Sequence, residues 1–157
     1  MKHQIHLGTV SEATLREEDL IPTFLWEVKY YDPENQTMLD IENKLDEMDE
    51  DQEDQYWDSE EASLDCQDLI DELNNLCSDI PYVYFGTNEG DGADFGFWVD
   101  TFSIEENIKW DENLKAVSDL SELPDDYEGD VLVVNDHGNM TLYNVHDGKT
   151  SEYWSIV

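Results

Sequence analysis

The spacing of apolar residues along this chain changes once, at Pro81, and that change limits the folds open to it. Before Pro81 they recur every three or four positions, the period of a helix with one buried face. After it they alternate or gather into short aromatic runs, the period of strands. Leu20, Ile21, Phe24, Leu25, Val28 and Tyr31 predict a helix over about 18–31, behind Glu17, Glu18 and Asp19 and with Pro22 in its first turn. Asp32-Pro33 ends it, because the residue before a proline is pushed out of helical geometry. Met38, Ile41, Leu45 and Met48 form a second, narrow stripe, whose continuation from Asp49 to Asp58 is nearly all Asp, Glu and Gln and is expected to fray. A third helix starts at Asp58-Ser59, with Glu61 behind it, and carries Ala62, Cys66, Leu69, Ile70, Leu73, Leu76 and Cys77 on one face.

The remainder reads as sheet. Tyr82-Val83-Tyr84-Phe85 and Asp94 to Val99 are β-prone runs joined by the Gly-rich stretch Gly86 to Ala93, a hairpin with a long loop whose glycines would need positive φ. Ser103 looks like the cap of a short helix from Ile104, and Ser118 to Tyr127 reads as a polar connection. A three-stranded meander closes the chain: Asp130 to Asn135, a turn at His137-Gly138, Met140 to Val145, a turn at His146-Asp147-Gly148, then Tyr153 to Val157. A short strand is also expected over His3 to Leu7, ending at Gly8. Helices followed by a mostly antiparallel sheet make an α+β protein. At 157 residues the expectation is one domain over 1–157, with 1–80 mainly helical and acidic and 81–157 mainly β.

Charge is the abnormal quantity. Asp and Glu number 41 against 7 Lys and Arg, a net of −34, where about 2 to 8 in magnitude keeps a small domain soluble. Aromatics make up 11% of the chain, too many for a disordered acidic tail. Cys66 and Cys77, about 16 Å apart along one helix, cannot bridge each other and suit a reduced, cytoplasmic protein with buried thiols. Met1 to Thr9 has no signal-like apolar run, and no segment has the length of a membrane span.

Three stretches carry a resemblance. YVYFGTNEGDGADFGFWVD (Tyr82 to Asp100), LPDDYEGDVLVVNDHGNMTLY (Leu123 to Tyr143) and LREEDLIPTFL (Leu15 to Leu25) are similar to stretches in small proteins encoded by tailed bacteriophages. The resemblance covers about half the chain and includes no catalytic signature, so it implies an origin, a phage gene expressed in a bacterial cytoplasm, and assigns no functional residue. The Asp32 to Asp79 segment lies outside it.

That segment holds 19 Asp or Glu and one basic residue, Lys44, for a local net of −18. Folded as two helices of about 20 residues, each roughly 30 Å long, it would match the ~18 phosphate charges of duplex DNA over the same length. Asp46, Glu47, Asp49, Glu50, Asp51, Glu53, Asp54, Asp58, Glu60, Glu61, Asp65, Asp68, Asp71 and Glu72 are therefore the candidate partner-binding surface. The expected partner is a host DNA-binding protein with a basic groove, such as a restriction-modification enzyme, a CRISPR effector or a repair or recombination nuclease. Direct nucleic-acid binding and membrane binding are not expected, and a homodimer is left open. The competing readings are an interaction or structural protein whose acidity is incidental, adaptation to high salt, and a calcium-binding module in Asn88 to Asp94, which has the oxygen-rich composition but not the spacing. No cofactor is called for. His3, His6, His137 and His146 lack zinc-like spacing, so no metal site is expected, and Asp136-His137 has no nucleophile motif beside it, so neither is an enzyme. Trp26, Tyr82, Tyr84, Phe85, Phe95, Phe97 and Trp98 could stack on bases, but the charge would repel phosphates, and core packing accounts for them better.

Overall fold

A computed structural model describes residues 4–110 and 114–157, so His3 of the expected first strand lies outside the described residues. The fold is α+β. The chain separates into two compact units, Met1–Asp79 with Val83–Val99 and Ile80–Tyr82 with Asp100–Val157, so the β2–β3 hairpin goes with the acidic helices and not with the later strands.

The first unit runs β1 (Gly8–Ser11), α1 (Glu17–Tyr31), α2 (Gln36–Asp46), α3 (Glu50–Trp57), α4 (Glu60–Leu76), β2 (Val83–Asn88) and β3 (Asp91–Val99). Its strands form an antiparallel sheet in the order β1-β3-β2. β1 lies later than the alternation at His3 to Leu7 suggested, and it reaches β3 where Gly96 faces Thr9. A side chain at Gly96 would collide with the Gly8 carbonyl, so glycine there is what lets the two backbones meet.

α1 buries every residue of its expected stripe. Phe24 sits edge-on to Phe85 and Phe95, with ring centroids 5.4 Å away in both cases, and Phe85 contacts Phe97 at 4.9 Å. Full burial of one such ring contributes about 2–3 kcal/mol, so this cluster is the main anchor between helix and sheet. Pro22 lies in the second turn, not the first. It lacks the N–H that would bond to the Glu18 carbonyl, on the exposed side of α1 where water can serve that carbonyl. At the end of α4, Asn74 accepts from the Phe85 N–H at 2.9 Å and donates to the Phe85 carbonyl at 2.8 Å, closing the free edge of β2.

Two expectations fail in this unit for local reasons. The acidic stretch after Met48 does not fray: Asp49 and Gln52 form a capping box that starts α3 as a separate helix. Gly86 to Ala93 is not a long loop either. β2 and β3 pair as far as Asn88 and Asp91, leaving a two-residue turn, and none of Gly86, Gly90 or Gly92 has positive φ. Asn88 Oδ1 accepts from Gly90 N–H and makes the turn instead.

The second unit contains α5 (Thr101–Trp110), β4 (Leu114–Val117), a 3-10 turn (Leu120–Glu122), β5 (Gly129–Val134), β6 (Met140–His146) and β7 (Lys149–Ile156). The sheet order is β4-β5-β6-β7, with β4 parallel to β5 and the rest antiparallel. The meander is therefore extended by a strand the sequence did not announce. β7 also begins at Lys149, because Asp147 and Gly148, both at positive φ, make the tight hairpin turn. α5 starts earlier than expected: Asp100 accepts from both the Ser103 N–H and the Ser103 hydroxyl, so Asp100 and not Ser103 takes the capping role. Leu120, Leu123 and Tyr127 pack on the Val117–Val131–Val145 cluster, which gives the connection before β5 an apolar side. Trp154 donates from Nε1 to the Pro81 carbonyl at 2.8 Å, holding the Ile80–Tyr82 segment on this unit.

Candidate interaction surface

The first unit carries 27 of the 41 acids, and 19 of these fall within Asp32 to Asp79. Within Asp32 to Asp79 fourteen of the nineteen acids are exposed. α4 spans about 25 Å, and duplex DNA of that length carries about 15 phosphate charges, so the helical lobe presents a comparable number of anions. It does so from three helices of 11, 8 and 17 residues and not from two long ones.

Asp46 ends α2 and Glu47 caps it, both exposed. Negative charge at a helix C-terminus opposes the dipole, and Lys44 in the last turn offsets it. Asp49 is the N-cap of α3, and Glu50, Asp51 and Glu53 fill its first turn, where the dipole favours them. Glu53 is half-buried; Asp54 and Asp58 are exposed. Ser59 caps α4 ahead of Glu60 and Glu61, and Asp68 and Asp71 continue its outer face. Thus most of these carboxylates sit on helix starts or outer faces, where the fold tolerates or favours them.

Asp65 and Glu72 are turned inward. Asp65 accepts from Tyr56 Oη at 2.6 Å and from Lys44 Nζ, while Lys44 also reaches Glu61 Oε1 at 3.3 Å and lies 5.3 Å from the Tyr56 ring centre. One cation thereby ties α2, α3 and α4 together. Burial alone would lower the Lys44 pKa, but hydrogen bonds to Asp65 and Glu61 hold it above its ordinary value, and burial with the Asp65 bond pushes the Tyr56 phenol up. Glu72 accepts from Asn35 Nδ2 at 2.9 Å and Thr37 Oγ1 at 3.0 Å, fixing α4 to the start of α2. Both carboxylates are committed to the lobe itself. A lone lysine among nineteen acids was a visible signal for such a clamp, but its partners lie 17 and 21 residues away.

Trp26 overturns the expectation that it packs in the core: it is 64% exposed. Phe85, Phe95 and Phe97 are buried, and Tyr82, Tyr84 and Trp98 are half-buried. The thiols of Cys66 and Cys77 are free, buried, and pushed by burial up to about 11 in both cases, which makes them poor nucleophiles at neutral pH.

Among the described residues, no group of converging metal-capable side chains contains more than one histidine. His6 is in the first unit, His137 is at the β5–β6 turn, and His146 stands between two carboxylates, with Nδ1 2.9 Å from Glu128 and Nε2 3.4 Å from Asp147. Among the described residues, Glu128, His146 and Asp147 are the one group of three metal-capable side chains whose ligand atoms converge, and all three are exposed. The Asn88 to Asp94 carboxylates do not converge in this way. The Glu128 carboxyl is held below its ordinary value by the Asp147 N–H and by His146. Among the described residues, no helix is long and apolar enough to cross a membrane. No family model matches the chain, and no curated protein or solved structure matches it.

Proposed function

We propose that this protein is a phage-encoded DNA mimic, which inhibits a host defence or DNA-processing protein by occupying its DNA-binding groove with the acidic face of α2, α3 and α4. The observation that carries the reading is the fourteen exposed carboxylates of Asp32 to Asp79, twelve of them on the capped helices α2, α3 and α4 or at their caps, with the only cation of the segment, Lys44, drawn inward onto Asp65 and Glu61. Carboxylates three or four residues apart on a helix stand about 5–6 Å from one another, close to phosphate separations. Because the helices are fixed by caps and by the Lys44 clamp, the array needs little ordering when it meets a basic groove. The field of a −34 molecule steers association with a cationic partner and makes it salt-sensitive. The setting is the bacterial cytoplasm, where the two thiols stay reduced.

Bacterial extract passed over the immobilised protein tests this. The expected result is retention of a basic DNA-binding protein that duplex DNA displaces and that raised salt releases. A retained partner indifferent to both would exclude mimicry and favour an interaction protein whose acidity is incidental.

A further inference from the structure

We infer that α1 carries an arginine-reading platform, built from Trp26 and Tyr30, which supplies the target preference that charge alone does not. This rests on the reading of the protein as a decoy for a basic surface, and it names the chemistry on the partner.

Trp26 and Tyr30 are one helical turn apart and stack, with centroids 5.7 Å apart and planes inclined by only 15°. The indole is 64% exposed, so its face is offered to solvent in a position already fixed by the stack. Pro22, one turn earlier on the same stripe, is also exposed and extends the apolar strip. Acids bracket it: Glu18 and Asp19 at the helix start, Asp32 and Glu34 just beyond its end. Among the described residues two cations stand beside the strip or its bracketing acids, and both are paired: Lys29 Nζ lies 3.2 Å from Glu42 Oε1 on α2, and Arg16, the N-cap of α1, is paired with Glu18. A flat aromatic stack in a strongly negative field fits a guanidinium. Arginine is planar and weakly hydrated and lies on aromatic faces, whereas the lysine ammonium is compact and keeps its water. A second copy of this chain would bring a like-charged unit against the same strip and is disfavoured. Nucleic-acid bases would bring phosphates and are disfavoured for the same reason.

The test titrates the full-length protein with two peptides of equal charge, octa-arginine and octa-lysine, at one salt concentration. Octa-arginine is expected to bind about three- to tenfold more tightly. Trp26→Ala should bring octa-arginine down to the octa-lysine value while leaving octa-lysine unchanged, and Trp26→Phe should keep part of the preference. Equal binding of the two peptides, or a preference that survives Trp26→Ala, would overturn the inference. So would a Trp26→Ala effect traced by sedimentation to loss of a dimer. A variant with the α2–α3 acids converted to amides separates the two claims. If it binds both peptides as well as the parent, the acidic-face reading fails; if it loses both while Trp26→Ala loses neither, only the platform fails.

Discussion

Glu27 shows how a single acid can work against the fold that carries it. It is half-buried on α1, and desolvation raises its pKa above 4.5, although His6 and the Tyr31 hydroxyl partly counter this. A carboxyl with a raised folded-state pKa favours folding when protonated and opposes it when ionised, so its cost is present at neutral pH and disappears as pH falls through the folded-state value towards 4.5. Glu27→Gln, which keeps an acceptor for Tyr31, should raise the melting temperature at pH 7 by about 1–2 °C, a small gain because the group remains partly solvated. The gain should vanish below about pH 4. An equal gain at both pH values would show that something other than ionisation is responsible. At this scale the sequence was least informative about orientation. Trp26 has the composition of a core residue yet faces out, because the core-facing side of α1 is already filled by Leu20, Ile21, Phe24, Leu25, Val28 and Tyr31. Asp65 and Glu72 have the composition of surface acids yet face in, because their partners Lys44, Asn35 and Thr37 come from a helix some 20 to 40 residues earlier.

Among the elements, α3 depends most visibly on one motif. Its eight residues have one buried side chain, Tyr56, so packing alone gives it little support, and the Asp49–Gln52 box supplies two backbone partners at its start. Asp49→Ala should cost about 1 kcal/mol and speed amide exchange in Glu50 to Trp57, whereas Asp49→Asn, an equally good cap, should leave both unchanged. Matching losses for the two variants would mean that charge, and not capping, sets the effect. The long helices were legible because their apolar period is sustained over three or more turns. α3 was not, since it has almost no stripe; the signal was the D-x-x-Q cap spacing. β4 was hidden because four residues are too few to establish alternation, and its parallel pairing with β5 is fixed by position in the sheet. Gly86, Gly90 and Gly92 pointed to a long loop because glycine marks turns, yet the Asn88 side chain makes a two-residue turn there; the close backbone approach falls instead at Gly96, inside the run read as strand.

For the whole molecule, the question is why a stable fold carries a net of −34. Self-repulsion favours expansion, and the acidic lobe meets it with capped helix starts, outward-facing carboxylates and a clamp made from its one lysine. Such a body is organised to present anions, and its function follows if the anions are what the partner binds. The most direct measurement uses the captured host protein bound to fluorescent duplex DNA, and compares the parent with a variant in which Asp46, Glu47, Asp49, Glu50, Asp51, Glu53 and Asp54 become amides. Asparagine at 49 preserves the cap, so the variant should keep its helical circular dichroism. The expected result is that the parent displaces the duplex at low salt and progressively less as salt rises, while the folded amide variant fails to displace it. Undiminished displacement by the amide variant would contradict DNA mimicry by this face.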